Sequence, residues 1–273
     1  AHDGCDAIIV CGGDGTVHDA LQGLIGHTAG LHPALGVIPM GTANALAADL
    51  GLPRAPLGAA QMLMNARPVR MPAGRVFFRD AEGAEHSRYF VVAAGVGVDA
   101  YFFSKLDSRM KQRFGYAAYL VQSLRLWATH SFQMFSATFT GCGGQTREHA
   151  LSQLLAVRIG NFGGLVRKLV PGAALSGPTL RIVAFKTASR LRYLRFMAAV
   201  WFARHSYSGA IDLIDCTSVE CREIAGSPIR TMIEADGEIL GYLPARIELV
   251  PDAFNLLVPQ PGQMERHAAR WGG

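Results

Sequence analysis

Apolar positions in the first 65 residues alternate between short continuous runs and helical spacing. Ala7, Ile8, Ile9 and Val10 form an unbroken run that ends in the glycines Gly12, Gly13 and Gly15, the pattern of a buried strand in a parallel sheet. Val17, Ala20, Leu21, Leu24 and Ile25 then recur with the spacing of one helix face, which predicts an amphipathic helix with Thr16 at its N-cap. The unit repeats. Residues 35–38 predict a second strand, Pro39, Met40 and Gly41 a loop, and Thr42 a second N-cap. Ala43, Leu46, Ala47 and Leu50 predict a helix stopped by Gly51 and Pro53. Residues 57–65 read as a third helix. Repeated strand–loop–helix units imply a parallel sheet covered by helices.

Beyond Pro68 the pattern changes. Residues 75–79, 88–94, 132–139, 153–159, 179–185, 218–224, 230–234 and 246–250 are rich in β-branched and aromatic side chains and predict strands. Helical spacing returns at 116–130 and 190–205. The expected fold is α/β: an N-terminal α/β nucleotide-binding domain, then a β-rich antiparallel sandwich or barrel-like domain. The expected boundaries are 1–68 and 69–252, with 253–273 returning toward the first domain. A length of 273 residues suits two domains at about 150 residues each.

Composition narrows the class. Half the residues are hydrophobic and 17% are charged, which excludes a mostly disordered chain. The longest apolar runs, 91–98 and 196–203, are too short for a membrane-spanning helix. A net charge of +5 suits anionic partners without choosing among nucleotides, phospholipid and nucleic acid. Five scattered cysteines with no Cys-x-x-Cys pair argue against a disulfide framework or zinc knuckle and for a reducing compartment. The chain opens without Met or a secretory signal and runs almost directly into a strand, the expected look of a fragment truncated at its N-terminus.

The segment with most chemical content runs from Cys11 to Val17. Glycines between a strand and a helix let backbone N–H groups approach phosphate oxygens, and the helix adds the positive end of its dipole. Asp14 would repel a phosphate, so it either faces Mg²⁺ or a substrate hydroxyl, or simply caps the turn. The loop Pro39-Met40-Gly41-Thr42-Ala43-Asn44 repeats the arrangement at the same end of the predicted sheet, where ligands of parallel sheets bind. Much later, Glu234-Ala235-Asp236-Gly237-Glu238 reads as a hairpin turn that also serves as a platform for carboxylates. The stretch from Gly95 to Ala100 fits either a bulge or a ligand-approach loop. Walker-type and Gly-x-Gly-x-x-Gly loops are absent, and the nine histidines show no metal-ligand spacing.

Taken in order, Gly12-Gly13-Asp14-Gly15-Thr16, Pro39-x-Gly41-Thr42-x-Asn44, Gly95-x-Gly97-x-Asp99-Ala100 and Asp236-Gly237-Glu238 resemble the motifs of bacterial diacylglycerol kinase-like lipid kinases, relatives of the sphingosine and ceramide kinases. The first motif alone is shared with NAD kinases. The resemblance implies an ATP-binding domain, a β-rich domain and an active site between them. It places Gly12, Gly13, Gly15, Thr16, Gly41, Thr42 and Asn44 at the nucleotide. It makes Glu238 the acceptor of the lipid hydroxyl's proton, with Asp14 and Asp236 acting beside it, directly or as ligands of Mg²⁺. Two departures stand out. The family's opening strand and Asn-Pro-x-x-Gly-type loop are missing. The stretch from Pro171 to Pro178 lacks the carboxylate with which relatives hold a structural Mg²⁺, so no such site is expected.

Lys105, Arg109, Lys111 and Arg113 precede the 116–130 helix. Arg190, Arg192, Arg195 and Arg204 accompany Tyr193, Trp201 and Phe202 on the 190–205 helix. Basic residues beside aromatics suit an anionic membrane surface, whereas a core helix with a solvated basic face gives the same pattern. The same helix would also serve as the interface of a homodimer. No nucleic-acid module is present. The expected activity is ATP-dependent, Mg²⁺-assisted phosphorylation of a lipid hydroxyl, with diacylglycerol the leading substrate, in a cytoplasmic protein peripheral to the inner face of the membrane. The alternatives are a NAD kinase and a nucleotide-binding regulatory protein without catalysis.

Overall fold

The computed structural model describes residues 4–26, 33–80, 82–98, 100, 132–142, 145–162, 170–201, 209–227 and 229–260. Strands β1 (Ala7–Gly12) and β2 (Ala34–Pro39) run parallel, with Ala7 opposite Ala34 and Gly12 opposite Pro39. Among the described residues β1 pairs with β2 alone. It is therefore a sheet edge rather than the fully buried strand expected, and its Ile9 is 45% exposed.

Helix α1 (Asp14–Gly26) begins three residues earlier than the Thr16 cap would allow. The Val17 N–H donates to the Gly13 carbonyl, so Gly13 is the half-helical residue and Thr16 lies inside the first turn. The missing side chain of Gly13 leaves room for close approach of the backbone at Gly41, and the acidic Asp14 falls at the positive end of the dipole. Helix α2 (Ala45–Asp49) likewise starts after Asn44, not Thr42. Asn44 sits in the left-handed region at φ 51°, which asparagine tolerates. Helix α3 (Pro56–Leu63) has proline in its first turn and covers β2.

The remaining strands are β3 (Arg67–Arg79), β4 (Glu85–Phe90), β5 (Ala93–Gly97), β6 (Phe135–Cys142), β7 (Gln145–Leu151), β8 (Gln153–Val157) and β9 (Leu180–Phe185). Helix α4 (Arg190–Trp201) follows, then β10 (Ile211–Cys216), β11 (Ser218–Glu223), β12 (Met232–Ala235) and β13 (Glu238–Val258). The main path of the sheet is β10-β9-β8-β5-β12-β13-β11-β6-β7. All of these neighbours are antiparallel except that β13 also reaches the parallel pair. The single strand predicted over 88–94 is two strands with a break at Val91 and Val92, for a reason given below. Strands β7 and β10 were not expected. β7 is mostly polar because among the described residues it pairs with β6 alone, at the end of the path. The predicted helix at 116–130 lies outside the described residues.

β13 organises the whole arrangement. Its 21 residues pair in turn with β12, β11 and β3, shifting register between Tyr242 and Arg246 and again between Val250 and Phe254. Its end runs parallel to β2, with Asn255 opposite Ala34 and Leu256 opposite Leu35. Phe254 and Leu256 thus enter one core with Leu21, Leu35 and Leu46, while Leu243, Ala245 and Ile247 enter another with Phe90, Phe135 and Phe139. Each such fully buried large side chain contributes about 1.5–3 kcal/mol. The Gly95–Gly97 stretch resolves as strand: a Cβ on Gly97, at φ 95°, would lie 2.5 Å from the Ser152 carbonyl oxygen, so the glycine permits close strand approach. Asp99, from the same motif, lies outside the described residues.

Arg158 is the largest fully buried side chain. Its guanidinium donates to the carbonyls of Leu175 (2.5 Å), Gly177 (3.1 Å) and Thr179 (2.6 Å), organising the loop that leads into β9. Burial pushes its pKa down to about 10, so it remains a cation at neutral pH. Arg158→Met removes donors from three carbonyls, and unpaired buried acceptors cost roughly 1–3 kcal/mol each. A fall in unfolding free energy of at least about 2 kcal/mol in urea is expected, and a change within about 0.5 kcal/mol would show that the loop does not depend on this cation.

Candidate active site

The two glycine-bearing loops meet at the carboxyl ends of β1 and β2. A Cβ on Gly41 would stand 2.6 Å from the Gly13 Cα, and one on Gly13 would stand 3.2 Å from the Gly41 Cα. Only glycine permits this contact. Gly12 packs equally closely on Thr16, whose Cβ and Oγ1 would both lie 2.6 Å from an added Cβ. Gly15, Thr16, Gly41 and Thr42 are exposed at this end of the sheet. An open cavity of about 340 Å³ adjoins them, lined by Met40, Gly41, Thr42, Asn44, Arg54 and Pro56. Arg54 supplies a cation there that the sequence pattern did not single out. Asn44, at the cavity wall, also closes the loop: its Oδ1 accepts the Gly41 N–H at 2.8 Å and its Nδ2 donates to the Gly41 carbonyl at 2.6 Å.

Asp14 joins the loops. Its Oδ1 accepts the Ala45 N–H at 2.7 Å, so it caps α2 from another part of the chain. Burial raises its pKa and the Asp236 charge adds to that, while the backbone N–H groups at Ala45, Asn44 and Leu46 oppose the shift.

Asp236 and Gly237 form the turn between β12 and β13, with φ 49° and 86°, the two left-handed residues of a tight hairpin. The Glu234 carboxylate accepts the Gly237 N–H at 2.8 Å and closes the turn. The Asp236 side chain is 2% exposed. Its Oδ1 accepts the N–H groups of Val92 (2.9 Å) and Ala93 (3.0 Å), and its Oδ2 accepts that of Val91 at 3.1 Å. These captured N–H groups explain the break between β4 and β5. His18 completes the set, with Nδ1 3.3 Å from Oδ2.

His18 is the residue that sequence reasoning missed. It lies on α1 one turn after Asp14 and is 1% exposed. Its Nε2 lies 3.8 Å from Glu238 Oε2. Gln22, one turn further on, brackets the ring: its Nε2 is 3.4 Å from His18 Nε2, and its amide is fixed on the Tyr89 backbone at 2.8 and 2.9 Å. A histidine four residues after Asp14 inside an apolar helix face was the available signal. Its carboxylate neighbours sit 218 and 220 positions away, which no local pattern reveals.

Glu238 is the open member of the group. Its side chain is 46% exposed, and its Oε1 would be 3.7 Å from a Cβ on Gly15. It therefore lies over the N-terminal turn of α1, beside the glycine contact. The structure brings together Gly12, Gly13, Asp14, Gly15, Thr16, Gly41, Asp236 and Glu238.

The fit to an absent nucleotide and metal differs between the two. Exposed glycine backbone, a helix N-terminus and an adjoining cavity with a cation suit phosphates. A protein-built metal site is not supported: Asp236 has both oxygens filled by N–H donors and Asp14 has one on Ala45. Among the described residues no group of three His, Cys, Asp or Glu side chains is arranged to hold a metal ion.

Helix α4 bears exposed Arg190, Leu191, Arg192, Leu194 and Arg195. Tyr193, expected at a membrane interface, belongs to the core: it stacks on Phe185 at 4.7 Å, and its hydroxyl pairs with buried Ser152. The Trp201 side chain, Phe202, Arg204 and the basic cluster at 105–113 lie outside the described residues. No helix among the described residues is long and apolar enough to cross a membrane.

Comparison with known proteins places the chain in a family. The diacylglycerol kinase catalytic domain model matches residues 1–76, and the YegS C-terminal NAD kinase beta sandwich-like domain model matches 91–258. The chain belongs to the diacylglycerol kinase-like lipid kinase family. It is 29% identical over 264 residues to a diacylglycerol kinase of Mycobacterium tuberculosis, covering 95% of this chain and 79% of that one. It is 25% identical to a diacylglycerol kinase of Bacillus subtilis, covering 93% and 78%. A crystal structure of a diacylglycerol kinase from Bacillus anthracis has the same fold, with a TM-score of 0.64 at 21% identity over 94% of this chain and 77% of that one.

The His18 environment sets its proton affinity. Burial alone would lower the pKa, but the Asp236 carboxylate, with Glu238 and Asp19, outweighs it and holds the imidazole above its ordinary 6.5. The folded state then binds this proton more tightly than the unfolded chain. The resulting stability is fully present below about pH 6.5 and is lost as pH rises through the native pKa. Imidazole NMR is expected to show His18 titrating above the ordinary histidine value, and a midpoint at or below that value would contradict this balance.

Proposed function

We propose that this protein transfers the γ-phosphoryl group of ATP to the hydroxyl of a lipid, with diacylglycerol as the acceptor. The observation that carries the reading is the half-exposed Glu238 carboxylate lying over the N-terminal turn of α1, beside the close contact of Gly13 with Gly41. Gly12, Gly13, Gly15, Thr16 and Thr42 hold the phosphates, with Arg54 at the adjoining cavity. Glu238 takes the hydroxyl proton as the lipid oxygen bonds to the γ-phosphorus. The bond from that phosphorus to the bridging oxygen breaks, and ADP leaves with the electron pair. Phosphoryl transfer needs little beyond such positioning and charge neutralisation. Mg²⁺, when bound, would supply charge neutralisation for the transferred phosphoryl group. Asp14 and Asp236 act by holding α2 and the hairpin in place, and Gly41 and Asn44 by shaping the loop.

In this reading residues 1–68 bind the nucleotide, 69–252 bind the lipid, and the segment from 253 closes back on the first part through Phe254 and Leu256, with 261–273 outside the described residues. The diacylglycerol kinase names of the relatives above support the choice of acceptor. The exposed arginines and leucines of α4 suit peripheral contact with an anionic membrane at the cytoplasmic face, each basic residue near the surface contributing about 1 kcal/mol.

Transfer of radiolabelled γ-phosphate from ATP with Mg²⁺ tests the proposal, using diacylglycerol, sphingosine, ceramide and NAD as acceptors. Label is expected in diacylglycerol presented in anionic vesicles. Glu238→Gln should lower turnover by about 10²–10⁴-fold. Label in NAD alone, or unchanged turnover in Glu238→Gln, would contradict the reading.

A further inference from the structure

We propose that His18 is the positioning residue for Glu238: its imidazole, fixed through Nδ1 on Asp236, holds the Glu238 carboxylate over the N-terminal turn of α1. The inference rests on the reading of Glu238 as proton acceptor and adds to it the means by which a half-exposed side chain keeps its place.

Glu238 begins β13 immediately after the turn, and its side chain reaches solvent. A glutamate in that position has three rotatable bonds, and a reacting carboxylate off by about 1 Å can lose about 10²-fold in rate. His18 is the opposite kind of residue. It is buried, it sits inside α1, and it touches Asp236, whose carboxylate is itself held by three consecutive N–H groups. Gln22 brackets the ring on the side away from Asp14 and is anchored on Tyr89. The rigid chain of contacts therefore runs from the break between β4 and β5, through Asp236, to His18, whose second nitrogen is 3.8 Å from Glu238. Among the described residues, His18 is the charged partner that this carboxylate meets. Asp19, on the same helix, is exposed and adds only a nearby charge.

A double-mutant cycle on the full chain tests this, with His18→Phe, Glu238→Gln and the pair. His18→Phe keeps a planar ring and removes both nitrogens, while the amides at 91–93 still hold Asp236. His18→Gln keeps a polar group able to reach the carboxylates. The expected result is a fall in kcat of about 10–10²-fold in His18→Phe. KM for lipid and the nucleotide dissociation constant should stay close to wild type, while the thermal midpoint falls with the loss of the Asp236 contact. Turnover should partly recover in His18→Gln, and the double variant should be no slower than Glu238→Gln alone. Multiplicative losses in the double variant, a loss confined to KM, or wild-type kcat in His18→Phe would each overturn the role of His18. A stability loss in His18→Phe that His18→Gln repairs without recovery of kcat would also overturn it. Wild-type turnover in Glu238→Gln is a different failure: it removes the proton-acceptor reading itself, and the inference with it.

Discussion

The site depends on how one buried carboxylate finds partners. Asp236 has almost no access to water, and an unpaired charge there would be costly. It accepts three consecutive backbone N–H groups, from Val91, Val92 and Ala93, and meets the imidazole of His18. Satisfying those four donors interrupts the strand predicted through 88–94, docks α1 against the β12–β13 hairpin and fixes where β13 starts. The Asp-Gly turn supplies the left-handed geometry that places the carboxylate there.

From that fixed turn β13 carries the rest. It leaves the hairpin as an antiparallel partner of β12, β11 and β3, and its far end lies parallel to β2, so both cores share one strand. The glycine loops at the ends of β1 and β2 consequently face the carboxylates of a hairpin more than 190 positions away. Neither loop nor hairpin is a site alone. Together they present exposed glycine backbone, a helix N-terminus and one half-exposed carboxylate at the same place, the elements that phosphoryl transfer needs.

Much of this was legible in the sequence, for identifiable reasons. Period and punctuation showed the parallel pair and its helices, because Gly12, Gly13 and Gly41 fall where strands must give way to helices. Asp236-Gly237 read as a hairpin because only a few residues accept two successive left-handed positions. Three things were less accessible. Helix starts were misplaced at Thr16 and Thr42, since glycine and an asparagine in the left-handed region ended the loops differently from simple hydroxyl caps. Strands β7 and β10 escaped because an edge strand or one with alternating aspartates lacks a strong apolar signal. His18 and Arg158 escaped for a deeper reason. A buried polar residue has its meaning in its partners: the carboxylate partners of His18 lie more than 200 positions away, and those of Arg158 are backbone carbonyls, which leave no mark in the sequence.

Amide hydrogen exchange in wild type and Asp236→Asn tests the central claim most directly. Asparagine tolerates the left-handed turn but offers one acceptor oxygen where the carboxylate offers two. The account predicts that protection at Val91, Val92 and Ala93 falls together with that of the first turns of α1, while the ladder between β13 and β3 keeps its slow exchange. Unchanged protection at those three amides would show that the β4–β5 break and the docking of α1 are held by something other than Asp236.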